Sequence, residues 1–138
     1  MVERQLHLFK GKRQRGERLP SPKEFNVHVA LASLLRRTIM PQWIFTHIPS
    51  GEKRDIVTAS RLKAMGVMPG WPDFLFVGPG RVFFLELKRK GSGRPSEDQR
   101  DVAAHVMACG CGYLMTDDIE DAIGTLRDMG VVRATVSA

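Results

Sequence analysis

No stretch of this chain is apolar for long enough to span a bilayer, and its basic N-terminus carries no apolar signal core. The expectation is a soluble intracellular protein. Cysteine is nearly missing. Cys109 and Cys111 are the only two, too close together for a framework disulfide and too few for a zinc site, so reduced structural thiols are expected. No internal repeat and no second domain-sized segment is visible in the 138 residues. Acidic side chains are in short supply as well: 15 Asp and Glu face 21 Lys and Arg, giving a net charge of +6 and a pI of about 9.8. That balance points to a polyanionic partner, either nucleic acid or an anionic membrane surface. With 43% hydrophobic residues, the chain can build one core and one domain.

Residues 1–20 form a basic arm. Arg4, Lys10, Lys12, Arg13, Arg15 and Arg18 outnumber Glu3 and Glu17, and little apart from Leu6, Leu8 and Phe9 is available to bury. This is either a solvated tail or an arm that touches phosphates. The folded domain is expected over 21–138. Ser21, Pro22 and Glu24 open a helix as N-cap, first-turn proline and capping-box acid. Phe25, Val27, Val29, Ala30, Leu31, Leu34 and Leu35 predict a largely buried body, and Arg36 and Arg37 suit the negative end of the helix dipole. His28 falls one turn after Glu24 on the same face.

Residues 42–48 read as a strand closed by Pro49, Ser50 and Gly51. Glu52, Lys53, Arg54 and Asp55 read as a loop, and 55–65 as a short helix closed by Gly66. After the centre of the chain, Arg89, Lys90, Gly91, Ser92, Gly93, Arg94 and Pro95 make a basic loop suited to a phosphate track. Ser96 and Gln99 make a second capping box, opening a helix to Cys109. A buried strand at 112–116, an amphipathic helix at 117–129 and a short strand or tail at 131–138 complete the order.

The centre of the chain is the segment 68–90. Phe74 to Gly78 and Val82 to Lys88 are apolar runs on either side of Gly78, Pro79, Gly80 and Arg81, which predicts a hairpin with a four-residue loop. In that register Val77 meets Val82, Leu75 meets Phe84, and Asp73 stands opposite Glu86. Alternation puts Asp73, Leu75, Val77, Val82, Phe84, Glu86 and Lys88 on one face, and Phe74, Phe76, Phe83, Leu85 and Leu87 on the other. Two carboxylates facing each other at the end of an apolar hairpin are destabilising unless something relieves them. A divalent cation would do so, since Mg²⁺ is typically held by one or two carboxylates plus phosphate oxygens. Lys88, two residues beyond Glu86, would do so too.

Pro72-Asp73, twelve intervening residues, then Glu86-Leu87-Lys88 resembles the PD-(D/E)xK nuclease signature. Five features in order resemble the VRR-NUC (virus-type replication-repair nuclease) family within it: Glu24; His47-Ile48-Pro49-Ser50-Gly51; Gly70 before Pro72-Asp73; Glu86 before Lys88; and Ser96 with Gln99. Ser50 stands where that family more often has Asn. The resemblance runs from about residue 22 to residue 132. It implies an α/β fold with a restriction-endonuclease-like αβββαβ core, a mixed sheet flanked by helices. It also implies a Mg²⁺-dependent DNA endonuclease, with Mn²⁺ the other candidate ion. The implied metal set is Asp73, Glu86, the Leu87 carbonyl and Glu24. Lys88 and Gln99 join Glu24, Asp73 and Glu86 as catalytic candidates. Lys12, Arg13, Arg15, Lys53, Arg54, Arg89, Lys90 and Arg94 are the DNA-binding candidates. The implied substrate is branched DNA such as a Holliday junction, cut by a homodimer in the cytoplasm of a bacterial cell or a phage-infected host. A duplex-cutting restriction-type or general nuclease is the alternative among enzymes, and a non-catalytic DNA-binding protein the alternative outside them.

Overall fold

A computed structural model describes residues 22–49, 55–90 and 94–134, with side chains from residue 26 onward in the first segment. The arm with Lys12, Arg13 and Arg15, the loop with Lys53 and Arg54, and the glycine-rich turn at 91–93 lie outside the described residues. So does the Glu24 side chain.

The architecture is α/β, a four-stranded mixed sheet flanked by helices. The elements run α1 (Pro22–Thr38), β1 (Ile44–His47), α2 (Ile56–Ala64), β2 (Phe74–Gly78), β3 (Arg81–Leu87), α3 (Glu97–Ala108), β4 (Gly112–Thr116) and α4 (Ile119–Asp128). The strands stand in chain order, β1-β2-β3-β4. The first three form an antiparallel meander, and β4 pairs with β3 in parallel. That parallel step needs a crossover, which α3 supplies.

The central hairpin has the expected register, Leu75 opposite Phe84 and Val77 opposite Val82. Its turn is tighter than the expected four-residue loop, because Gly78 also pairs with Arg81. Only Pro79 and Gly80 remain unpaired. A proline followed by a glycine at φ +65° satisfies a turn that needs a left-handed second residue.

The strict alternation of this hairpin sorts the core into two layers. Phe74, Phe76, Phe83 and Leu85 pack with Leu114 against Leu31 and Leu35 of α1 and Ala122 and Leu126 of α4. Phe84 packs on the opposite side with Tyr113, Met115, and Val102, Ala103 and Val106 of α3. Helices therefore cover both faces, and the site end of the hairpin lies between them.

One helix buries less than its sequence promises. Among the described side chains of α1 one stripe is buried: Leu31 and Leu35 are inaccessible, but Val27 is 41% and Val29 50% exposed. The expectation of a largely buried body is too broad. A helix packed on one layer hides a stripe of about 100° and no more. In α2, started by an Asp55 cap whose carboxylate accepts from Thr58 N–H at 2.7 Å, no residue is buried. Near the C-terminus, the extended expectation reduces to an isolated bridge between Ile39 and Val132, while 135–138 lie outside the described residues. Among the described residues no helix is long and apolar enough to cross a membrane.

Candidate active site

The loop before β2 is built to release Asp73 at a defined place. Gly70 has φ +89° and lies so close to α3 that a Cβ there would stand 2.4 Å from the Asp98 carbonyl carbon. Trp71 leans on Phe84 with ring centroids 5.7 Å apart, and Pro72 is fully buried. The loop is thus clamped between α3 and the sheet, and the next residue is Asp73.

The regular ladder ends at Phe74 and Leu85, one pair short of the two acids. Beyond that point each carboxylate replaces a strand carbonyl as acceptor. Leu87 N–H donates to Asp73 Oδ2 at 2.9 Å, and Asp73 N–H donates to Glu86 Oε2 at 3.0 Å. The expected confrontation of like charges is real, and the acids are held together by each other's strand.

Glu86 is buried, and its second oxygen faces two further groups. Lys88 Nζ lies 3.5 Å from Oε1, and Gln99 Nε2 donates to the same oxygen at 3.2 Å. Gln99 Oε1 in turn accepts from Lys88 Nζ at 2.8 Å and from Ser96 N–H at 3.0 Å. Ser96 Oγ closes the capping box by accepting from Gln99 N–H. The sequence leaves helix cap and site residue as equal choices for Gln99; the structure shows the cap in full and, from the same amide, hydrogen bonds to Glu86 and Lys88. One amide caps α3 and ties it to Glu86 and Lys88.

Burial, and after it the neighbouring Asp73 charge, hold the Glu86 carboxyl well above its ordinary value of 4.5, against the opposing pull of Lys88 and the Asp73 N–H. A carboxyl whose folded pKa is raised favours the fold below its unfolded pKa. That contribution is lost as pH rises through the folded value. In chelator-treated protein, the stability of Glu86→Gln relative to wild type should therefore grow with pH from about 4.5 upward and then level off. Denaturant unfolding of both proteins between about pH 4 and 8 measures it. A difference independent of pH would mean that Glu86 is ionised in the fold as easily as in water. Burial, with the charges of Glu86 and Asp73, also pushes the Tyr113 hydroxyl far above its usual range, so it stays neutral.

Two histidines complete the surroundings. His47 Nδ1 lies 2.7 Å from the Asp73 carbonyl oxygen, which can only accept, so that nitrogen carries the proton. His28 Nε2 lies 3.5 Å from Asp73 Oδ2. A lone histidine in a helix is more often structural than functional, so the sequence gives His28 little weight. Its one available signal is a position one helical turn after Glu24.

Of the candidate residues, Asp73, Glu86, Leu87, Lys88 and Gln99 are brought together. Arg89, Lys90 and Arg94 follow within a few residues and are exposed, on the basic segment that leads from β3 into α3. The donors suit a hard divalent cation: two carboxylates, one buried beside the other, with a backbone carbonyl between Glu86 and Lys88. Among the described residues, no three His, Cys, Asp or Glu side chains form a metal cluster. A two-carboxylate set leaves the rest of the coordination to water and phosphate oxygens, as Mg²⁺ sites usually do.

Fold and site together define an α/β protein with a carboxylate pair, a lysine and a glutamine gathered where a hairpin meets the N-terminus of a helix. Compared with known proteins, the chain matches no family model, no curated protein and no solved structure.

Proposed function

We propose that the protein is a metal-dependent DNA endonuclease of the VRR-NUC kind, with a restriction-endonuclease-like core, hydrolysing phosphodiester bonds in branched DNA. The observation that carries this reading is the junction of Asp73, Glu86, Lys88 and Gln99 at the strand end. A buried acid beside a half-buried one, with an adjacent ammonium, is costly to fold around and suits cation-assisted phosphate chemistry. The order of helix, three-stranded meander, crossover helix and parallel strand agrees with the αβββαβ core, with α2 as an insertion.

Asp73 and Glu86, with the Leu87 carbonyl, would hold Mg²⁺ or Mn²⁺. Such an ion supplies Lewis-acid polarisation of the phosphate and a more acidic bound water. Lys88 would steady the attacking water or the charge that builds on phosphorus, acting as a preorganised cation in a largely desolvated place. Gln99 Oε1 fixes the direction of that ammonium. Arg89, Lys90 and Arg94, with Lys53, Arg54 and the arm bearing Lys12, Arg13 and Arg15, would hold the DNA backbone, a sequence-independent and salt-sensitive contact. A four-way junction has two scissile strands related by a two-fold axis, so a homodimer is the fitting assembly, acting in the cytoplasm.

The direct test compares cleavage of junction, flap, duplex and single-stranded DNA, each with and without Mg²⁺. Metal-dependent cleavage that favours the junction is expected. Cleavage of duplex alone would point to a restriction-type enzyme, and binding without any cleavage would overturn the nuclease reading.

Removing residues 1–18 takes away six basic side chains. DNA affinity should fall, and the slope of log affinity against log salt should drop by roughly one unit for each phosphate that is no longer neutralised. Titrations at several salt concentrations would reveal it, and an unchanged slope would make the arm a bystander.

Glu24→Gln separates capping from chemistry, because a capping box accepts either residue. Stability should stay within about 1 kcal/mol, while single-turnover cleavage falls at least about tenfold. Full activity would leave Glu24 as a cap alone.

A further inference from the structure

Asp73 has a second side-chain neighbour that the proposed reaction does not use. His28 of α1 places Nε2 3.5 Å from Asp73 Oδ2, with 22% of its side chain exposed. Packing fixes the ring. It meets Phe74 edge-on, with centroids 5.7 Å apart and planes at 90°, and lies tilted against His47 at 5.4 Å. His47 is itself held by the Asp73 carbonyl. The nitrogen beside the carboxylate is therefore presented by a supported ring.

The distance leaves the pair short of both uses open to it. A charge-assisted hydrogen bond between an imidazolium and a carboxylate closes to about 2.7–2.9 Å. At 3.5 Å the pair is loose for that purpose. Two neighbouring ligands of one octahedral ion, each about 2.1 Å from the metal, stand about 3 Å apart. As it stands, His28 does not complete a three-ligand cluster with the two acids; an ion that drew Nε2 and Oδ2 together by about half an ångström would bring the nitrogen into its coordination sphere. Oδ2 already accepts the Leu87 N–H, which anchors the oxygen that His28 approaches.

We infer that His28 gives an imidazole nitrogen to the divalent ion held by Asp73, and that the site thereby prefers Mn²⁺ over Mg²⁺. This rests on the metal-dependent reading above. Mg²⁺ is a hard ion that takes oxygen ligands and dehydrates reluctantly. Mn²⁺ shares the oxygen donors of Mg²⁺ but, as a first-row transition ion, takes an imidazole nitrogen more readily, so such a ligand favours it over Mg²⁺. The acids and the Leu87 carbonyl alone would not discriminate strongly, since oxygen donors suit both ions.

The experiment uses the full chain without DNA. Mn²⁺ binding is followed by the electron paramagnetic resonance of the free ion, Mg²⁺ by competition, and nitrogen coordination by electron spin-echo modulation of the bound Mn²⁺. Wild type should bind Mn²⁺ at least about tenfold more tightly than Mg²⁺ and show a ¹⁴N coupling. His28→Gln, which offers an amide oxygen of similar reach, should lose the coupling and lower the Mn²⁺ to Mg²⁺ ratio at least about fivefold. Circular dichroism shows whether the variant is folded. If it is not, the wild-type spectrum still decides, because bound Mn²⁺ without ¹⁴N coupling overturns the inference. A coupling that persists in folded His28→Gln, or an unchanged ratio, overturns it too. Metal-dependent cleavage alongside either result would leave the nuclease reading standing. No divalent binding and no cleavage would remove both.

Discussion

Lys88→Ala and Glu86→Ala should each lower cleavage at least about a hundredfold, while DNA affinity stays within about threefold of wild type. The size follows from the role. Removing one preorganised group that meets developing charge typically costs a factor of about 10²–10³, or roughly 3–4 kcal/mol of transition-state stabilisation. Affinity should survive because Lys88 is turned inward, its side chain 17% exposed and engaged with Gln99 and Glu86. The exposed Arg89, Lys90 and Arg94 on the β3–α3 segment would meet a DNA backbone without Lys88. Single-turnover cleavage and gel-shift titration on the same preparations give both numbers. Glu86→Ala also leaves the Gln99 amide and the Asp73 N–H without their acceptor, so its stability must be measured in parallel. The near-isosteric Glu86→Gln serves as the control that keeps the volume filled. Cleavage within tenfold of wild type in the lysine variant would take Lys88 out of the chemistry.

Gly70→Ala carries the second large effect, and it acts at a distance. The new methyl would lie 2.4 Å from the Asp98 carbonyl carbon, 2.5 Å from its oxygen and 2.8 Å from the Gln99 nitrogen. All three are backbone atoms, so no side chain can swing aside. A left-handed conformation adds about 1–2 kcal/mol for a residue with a Cβ, and overpacking adds about 1–3 kcal/mol. A stability loss of about 2–5 kcal/mol is expected from the two together. The functional consequence is separate. Relief of the clash moves the first turn of α3, and Gln99 moves with it, away from Lys88 and Glu86. Cleavage measured well below the melting temperature should therefore fall at least about tenfold in protein that is still folded and still binds DNA. Denaturant unfolding and single-turnover kinetics test the two halves. Unchanged stability would mean that the loop, not α3, gives way.

Much of this architecture is legible because short-range rules decide it. The hairpin register follows from alternation and a Gly/Pro turn, and it survives even though the loop is two residues tighter than expected. The Ser96 and Gln99 capping box is readable from spacing alone and is present in full. Strand 112–116 is where its apolar run places it. The α1 body is misjudged because a run of apolar residues does not reveal how many neighbours a helix will have. Val27 and Val29 are exposed because that side of α1 meets no partner among the described residues.

For the site, the sequence determined by itself which chemical groups share one strand face and one helix cap: Asp73, Glu86 and Lys88 by period two, Ser96 and Gln99 by the three-residue capping interval. Periodicity acts along a single element, so it could reach no further. Only the tertiary structure decided that the cap of α3 and the face of β3 are one network, through a glutamine amide shared between them. Only the tertiary structure, too, brought His28 and His47, from α1 and β1, to Asp73. These contacts join residues from different elements, 26 positions apart for His47 and Asp73. They arise from how the helices are laid on the sheet, through a core whose fit no local spacing encodes.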